Sequence, residues 1–293
     1  MKIGIFIGIA AGARPDSMVT VAQHAEQLGF GTLWAGEHVV VFDRYQSRYP
    51  YTEDGEMPLV RDADFLDPLI GLTYAAAVTK SIRLATGICL VPEHNPVVLA
   101  KQVASLDFLS GGRFALGIGI GWSEEEFRAL GVPFERRAQR TCDYLEAMLK
   151  LWGEDQASYD GEFVHFSQAR MNPKPVARAK MPIYFGGESM PALRRVAKYG
   201  TGWFGSNLGP LETAEKLAKL RELMKANGRN AEQLRVMMSP GVAHFSPANL
   251  AKYRDAGVHE LVIFLNYSTK QEENIGKLEH LAKRWVEPAE KLG

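Results

Sequence analysis

The sequence predicts an α/β protein of the (β/α)8 TIM-barrel class, read as one domain over residues 1–293. Three observations predict it. Short apolar runs alternate with amphipathic segments, and the alternation repeats eight times along the chain. The runs are too apolar for a one-sided sheet and suit parallel strands covered on both faces. No linker, low-complexity segment or break in composition divides the chain, so the units share one core and closure is favoured over an open doubly wound sheet.

The elements follow in order. A strand over 3–9 precedes a helix over 15–28, closed by Gly29. This first run with Ala11-Gly12-Ala13 imitates a signal peptide, but Gly4 and Gly8 interrupt it and the repeat needs a first strand here. A strand over 32–35 leads into a long polar excursion over 39–64 and a helix over 65–79. The stretch 82–122 is the most regular unit. Its runs over 82–90 and 113–120 flank a helix in which Val97, Leu99-Ala100, Val103-Ala104 and Leu106 recur at helical steps. Pro96 sets the start of that helix near Asn95, and Ser110-Gly111-Gly112 stops it. Ser123 caps a short helix whose first turn carries Glu124, Glu125 and Glu126, the sign the helix dipole prefers, and a longer helix covers 136–152. Residues 159–166 alternate around Asp160-Gly161, a small hairpin excursion before the fifth strand. Strands over 182–185, 202–204, 234–238 and 260–265 are followed by helices over 190–199, 211–226, about 247–256 and about 270–289.

Composition excludes several classes of function. Lys+Arg and Asp+Glu stand at 34 each, so no long-range field attracts nucleic acid or an anionic membrane. No run reaches transmembrane length. Two cysteines, Cys89 and Cys142, cannot build a disulfide framework, and a cytoplasmic location is expected. None of the seven histidines falls in His-x-His or His-Glu-x-x-His spacing, so no metal site is expected. No Gly-x-Ser-x-Gly elbow is present for serine hydrolysis.

A barrel of this class binds ligands where strands end. Glu37-His38 follows the second strand and is the acid–base candidate, weighed against a structural histidine; Glu93-His94, after the third, can face the same cavity. Gly117-x-Gly119-x-Gly121 lies within a strand pattern, which favours thinned barrel packing over a dinucleotide turn. Glycine-rich ends let a flat or charged ligand approach the backbone. Gly186-Gly187-Glu188-Ser189 opens a helix and reads either as a phosphate site or as a tight turn with Ser189 as cap. The aromatic and basic segment 42–51 reads as a substrate lid or an oligomer contact.

On these residues the sequence resembles the luciferase-like monooxygenases, in particular the branch called coenzyme F420-dependent oxidoreductases. The matching pieces are Ala25-Glu26-Gln27-Leu28-Gly29-Phe30, Trp34 through His38, and Arg83-Leu84-Ala85-Thr86-Gly87. Further matches are Asn95-Pro96-Val97, Leu106 through Arg113, Gly119 through Trp122 with Glu125-Glu126-Phe127, and Gly186 through Ser189 with Gly202-Trp203-Phe204. The resemblance implies coenzyme F420 or FMN in the barrel mouth, with Phe6, Thr86, Gly87, Ile88, Asn95, Gly119, Ile120, Gly121, Gly186, Gly187, Glu188 and Ser189 around it. It implies a cis bulge at Gly87–Ile88 behind the ring, and His38 as acid–base group with Glu37 orienting or charging it. The deazaflavin enzymes carry Asp-His at this point, and this chain has Glu37-His38. The implied activity is hydride transfer or oxygen activation on a small organic substrate. A homodimer and, for FMN, a separate flavin reductase would follow. A non-catalytic flavin-binding barrel, or a metal-dependent barrel hydrolase or isomerase, is the alternative.

Overall fold

The computed structural model describes residues 1–7, 15–58, 64–266, 268 and 270–292. Strand β1 (Lys2–Phe6) precedes α1 (Pro15–Gln27), and β2 (Thr32–Ala35) precedes α2 (Pro68–Val78). The third unit holds β3 (Arg83–Thr86), the short β4 (Cys89–Leu90) and α3 (Pro96–Leu109), and the fourth holds β5 (Phe114–Gly119), α4 (Glu124–Ala129) and α5 (Arg137–Gly153). A two-stranded hairpin, β6 (Ala157–Asp160) and β7 (His165–Ala169), intervenes. Then come β8 (Ile183–Gly186), α6 (Met190–Tyr199), β9 (Gly202–Leu208), α7 (Pro210–Ala226), β10 (Arg235–Pro240), α8 (Leu250–Asp255), β11 (Glu260–Phe264), α9 (Gln271–Leu281) and α10 (Glu287–Glu290).

The sheet runs β3-β2-β1-β11-β10-β9-β8-β5, and a parallel β3–β5 pairing joins its ends, so it closes. One side chain from each of the eight barrel strands fills the interior: Phe6, Trp34, Ala85, Ala115, Tyr184, Phe204, Met237 and Val262. Trp34 lies across this layer, its ring centroid 5.0 Å from Phe204 and 6.0 Å from Tyr184, and its indole N–H donates to Glu260 at the floor. The larger core lies outside the barrel wall, where Leu33, Leu84, Leu116, Ile183 and Trp203 meet the inner faces of the helices.

The departures from expectation have local causes. The apolar run over 82–90 is not one strand, because a cis Gly87–Ile88 peptide breaks it into β3 and β4, which both pair with β5. The second helix begins at Pro68, where Asp67 Oδ1 accepts the Ile70 amide. Strand β9 extends through Ser206, which pairs with Ser239 of β10, and past Asn207, where the register shifts before Leu208 pairs with Pro240. The final helix passes through a π turn, Ala282–Val286, just before Pro288, which lacks the amide an α-helix would use. The end of the first predicted strand and Ala11-Gly12-Ala13 lie outside the described residues. No helix among the described residues is long and apolar enough to cross a membrane.

Candidate active site at the barrel mouth

His38 stands just beyond β2, its side chain 9% exposed. Nδ1 lies 2.7 Å from Oε2 of Glu126, a fully buried carboxyl on α4. On its other side, Nε2 faces the indole N–H of Trp122 at 3.4 Å. An indole nitrogen only donates, so this arrangement puts the proton of neutral His38 on Nδ1 and the lone pair on Nε2. The Phe65 and Trp122 rings meet the imidazole edge-on, each 5.8 Å away between centroids.

Glu37 does not orient His38, as the sequence had led us to expect. Successive residues of an extended segment point to opposite sides, and Glu37 turns away into the wall. There it is 5% exposed, accepts the Leu90 amide at 2.5 Å and pairs with His94 Nε2 at 2.9 Å. Burial alone would raise its pKa, but His94 and the Leu90 amide hold the carboxyl below its usual range; burial would lower His94, but Glu37 raises it. Cys89 Sγ lies 3.8 Å from the same His94 nitrogen, and the three ligating atoms fall within 4.8 Å of one another. Glu37 and His94 already satisfy each other, so the trio reads as a clasp fastening the end of β2 to β4.

Ile88, at the cis bulge, is half-buried and faces the glycines of the neighbouring strands. A Cβ at Gly119 would overlap Ile88 Cδ1, and one at Gly186 would lie 2.8 Å from it. The glycines at these strand ends therefore make room for the bulge itself: at Gly119 this is the thinned packing the sequence suggests, and at Gly186 it takes the place of room for a ligand. Thr86 is fully buried and exchanges two hydrogen bonds of 2.8 Å with the Gly117 backbone, holding β3 and β5 in register beneath the bulge. Asn95 is exposed and caps α3 through the Val97 and Val98 amides. Phe6 belongs to the barrel interior and stacks on the half-exposed Phe264, with ring centroids 4.9 Å apart. Ile120 and Gly121 continue the β5 end and are half-buried.

At the β8 end, Ser189 Oγ caps α6 through the Ala192 amide, and Pro191 follows in the first turn. Glu188 is bent away from that helix, with Oε1 accepting the Ser206 amide at 2.7 Å. Burial pushes its carboxyl up to about 7 despite the Ser206 amide. Two arginines that the sequence did not single out stand close by. Arg137 Nε donates to the Gly121 carbonyl at 3.1 Å and its guanidinium covers the Phe134 ring at 3.8 Å. Burial, and then Arg195, hold Arg137 below its ordinary value, and burial lowers Arg195 as well. Among the described residues neither guanidinium has an ion-pair partner. Arg195 also lines an outer cleft of about 450 Å³ between α5 and α6, with Arg194, Lys198, Cys142 and Tyr199.

Residues 39–58 lie over His38. Glu126 Oε1 accepts the Val39 amide at 2.6 Å, and Glu125 Oε1 accepts the Gln46 amide at 2.6 Å. Tyr45 and Tyr49 pack edge-on against Trp122, and the Tyr51 carbonyl meets Asn207 of β9. With this segment down, the enclosed space beside His38 is about 10 Å³, room for one water at most. Nothing local in the sequence marked Glu126, because its partners lie 86–88 residues away.

Comparison with known proteins places this geometry in a family. The luciferase-like monooxygenase family model matches residues 1–287. An uncharacterized protein of Mycobacterium tuberculosis is 36% identical over 242 residues, 82% of this chain and 84% of that protein. The FMNH2-dependent dimethylsulfone monooxygenase of Pseudomonas putida is 31% identical over 156 residues, 52% of this chain and 42% of its own. A solved F420-dependent secondary alcohol dehydrogenase, in complex with an F420–acetone adduct, shares the fold with a TM-score of 0.76 at 17% identity, covering 99% of both chains. The chain belongs to the luciferase-like monooxygenase family.

Proposed function

We propose that this chain is a flavin-type oxidoreductase that binds coenzyme F420 or FMN in the barrel mouth and acts on a small organic substrate. The observation that carries this reading is the tautomer of His38: Nδ1 is engaged by Glu126 and the basic Nε2 is held at the strand end, under an aromatic cover. The residues fit a ring with an anionic tail. Ile88 offers an apolar, half-buried seat, edged by Gly119, Ile120 and Gly121 and positioned by Gly87 and Thr86. The phosphate end would lie toward Gly186, Gly187 and Ser189, where Arg137 and Arg195 bring two charges that pair with no carboxylate among the described residues. Glu188, bent to Ser206, leaves that helix start free of a competing carboxylate.

When bound, the cofactor supplies the hydride or the centre that activates oxygen. The chain contributes the rest. His38 takes or gives the proton at Nε2, Glu126 stabilises the imidazolium that results, and Trp122 fixes the ring plane. Tyr45 and Tyr49 leave Trp122 to admit ligands and return to exclude water.

With FMN, reduced flavin would come from a separate reductase, in line with the FMNH2 dependence of the Pseudomonas putida relative. A homodimer would form through α2 and α3, which pack together and leave Ile70 72% and Val98 55% exposed beside Tyr74 and Val97. Helix α2 is apolar on every side, as expected of a helix covered twice.

Titration of the purified chain with FMN and with F420, oxidised and reduced, tests the reading. Saturable binding of one of them, followed by turnover that His38→Ala abolishes, supports it. Binding of neither removes it, and turnover unchanged in His38→Ala removes His38 from the mechanism.

A further inference from the structure

Glu93 has no role in the account so far. It closes the single turn Val91–Glu93 that follows β4 and is 8% exposed. Both of its carboxyl oxygens are buried without a hydrogen-bond partner among the described residues. The carboxyl sits beneath the β5 rim: a Cβ at Gly121 would come within 2.9 Å of Oε1, and the positive φ of Gly121 (75°) already excludes most side chains there. A buried carboxyl normally finds donors, so one with none needs an explanation.

The groups around it supply one. Glu126 and Glu37 face it from α4 and from the end of β2, and each is already matched to one histidine, His38 and His94. Cys89 lies on the same side, and Asp67 acts on Cys89 and His94 from beyond them. The cations nearby are committed elsewhere. On α5, which packs on the Val91–Glu93 turn, Arg137 holds the Gly121 carbonyl and Arg140 the Pro133 carbonyl. On α3, Lys101 reaches the Asn172 carbonyl. The cluster thus has three carboxyls and two histidines. Ionising the third would leave a buried charge uncompensated.

We propose that Glu93 is an uncharged carboxylic acid, walled in beneath Gly121, that keeps a third negative charge out of the space between the His38–Glu126 and His94–Glu37 pairs. Burial, followed by Glu126 and Glu37, pushes the Glu93 carboxyl up to about 9, in keeping with this arrangement. The proposal rests on His38 being the acid–base group of the site, yet its test needs neither cofactor nor turnover.

The test compares the full chain with Glu93→Gln, which keeps shape and neutrality. In wild type the infrared carbonyl stretch of a protonated carboxyl should be present at neutral pH, absent from Glu93→Gln, and lost in a step near pH 9. The ¹⁵N shifts of the His38 ring at neutral pH, assigned with His38→Ala, should be the same in Glu93→Gln. A change in the protonation they report would mean that Glu93 carries a charge felt by His38, and would overturn the proposal. Absence of the infrared step would overturn it as well. If Glu93→Gln does not fold, the step near pH 9 in wild type decides alone. Failure of both FMN and F420 to bind would end the functional reading without altering these readouts.

Discussion

Glu126→Gln is the most informative single change at the mouth. The wild-type carboxylate is fully buried and accepts from His38 Nδ1 at 2.7 Å and from the Val39 amide at 2.6 Å. A glutamine of the same shape keeps one acceptor oxygen but turns an N–H2 toward the other partner. If the oxygen stays with Val39, His38 must present a lone pair at Nδ1, which moves the proton to Nε2 and sets it against the Trp122 indole N–H. The base at the mouth is then lost. The imidazolium also loses its buried counter-charge at Nδ1. A step that forms the imidazolium should slow by about 10- to 1000-fold. Steady-state kinetics across pH, together with ¹⁵N shifts of the His38 ring, make the measurement. The loss should fall on kcat, with the tautomer inverted. Unchanged kcat and an unchanged tautomer would refute the reasoning, because the geometry leaves Glu126 no other way to act on His38.

Four further outcomes are expected. Gly119→Ala should cost about 1–3 kcal/mol in denaturant unfolding, since the new Cβ overlaps Ile88, and Ile88→Ala in the same chain should recover most of that loss. Arg195→Ala and Arg137→Ala should each weaken binding of the phosphate-bearing cofactor by about tenfold, and by less at high salt, in calorimetric titration. The stability of wild type relative to Glu93→Gln should fall as pH rises from 4.5 to about 9, by at most about 1.4 kcal/mol per unit, because the unfolded chain ionises first and the folded one resists. Glu26 behaves in the opposite sense: burial would raise its carboxyl, but the Ile82, Ser81 and Lys80 amides hold it down to about 2. Its contribution is therefore present above 4.5 and lost as pH falls toward 2, so Glu26→Gln should lower the melting temperature at neutral pH and leave it unchanged in strong acid.

The barrel was legible because strand and helix periodicities are local, and the unit around Pro96 and Ser110-Gly111-Gly112 states its own boundaries. The position of His38 at a strand end was legible for the same reason. Its partner was not. Adjacency in sequence suggested Glu37, whereas alternation along the extended chain sends Glu37 to His94 and leaves His38 to a carboxylate 88 residues away. Glu126 stands out in the sequence as a favourable charge in a first helical turn and as part of a family-matching piece, with no partner named for it. The β5 glycines read as thinned packing and the strand-end glycines as room for a ligand, but the side chain that fills the space, Ile88, enters from another strand at a cis bulge that no propensity encodes. Arg137 and Arg195 stand out through the absence of an ion-pair partner among the described residues, which only three-dimensional neighbours can reveal.

The central claim is that Ile88 seats a flavin-type ring within reach of His38. The most direct test is anaerobic titration of wild type, His38→Ala and Ile88→Asp with FMN and F420 in both redox states. The account predicts one-to-one binding of one cofactor to wild type, affinity within a few-fold in His38→Ala, and loss of binding in folded Ile88→Asp. Equal binding to all three proteins, or to none, would contradict it.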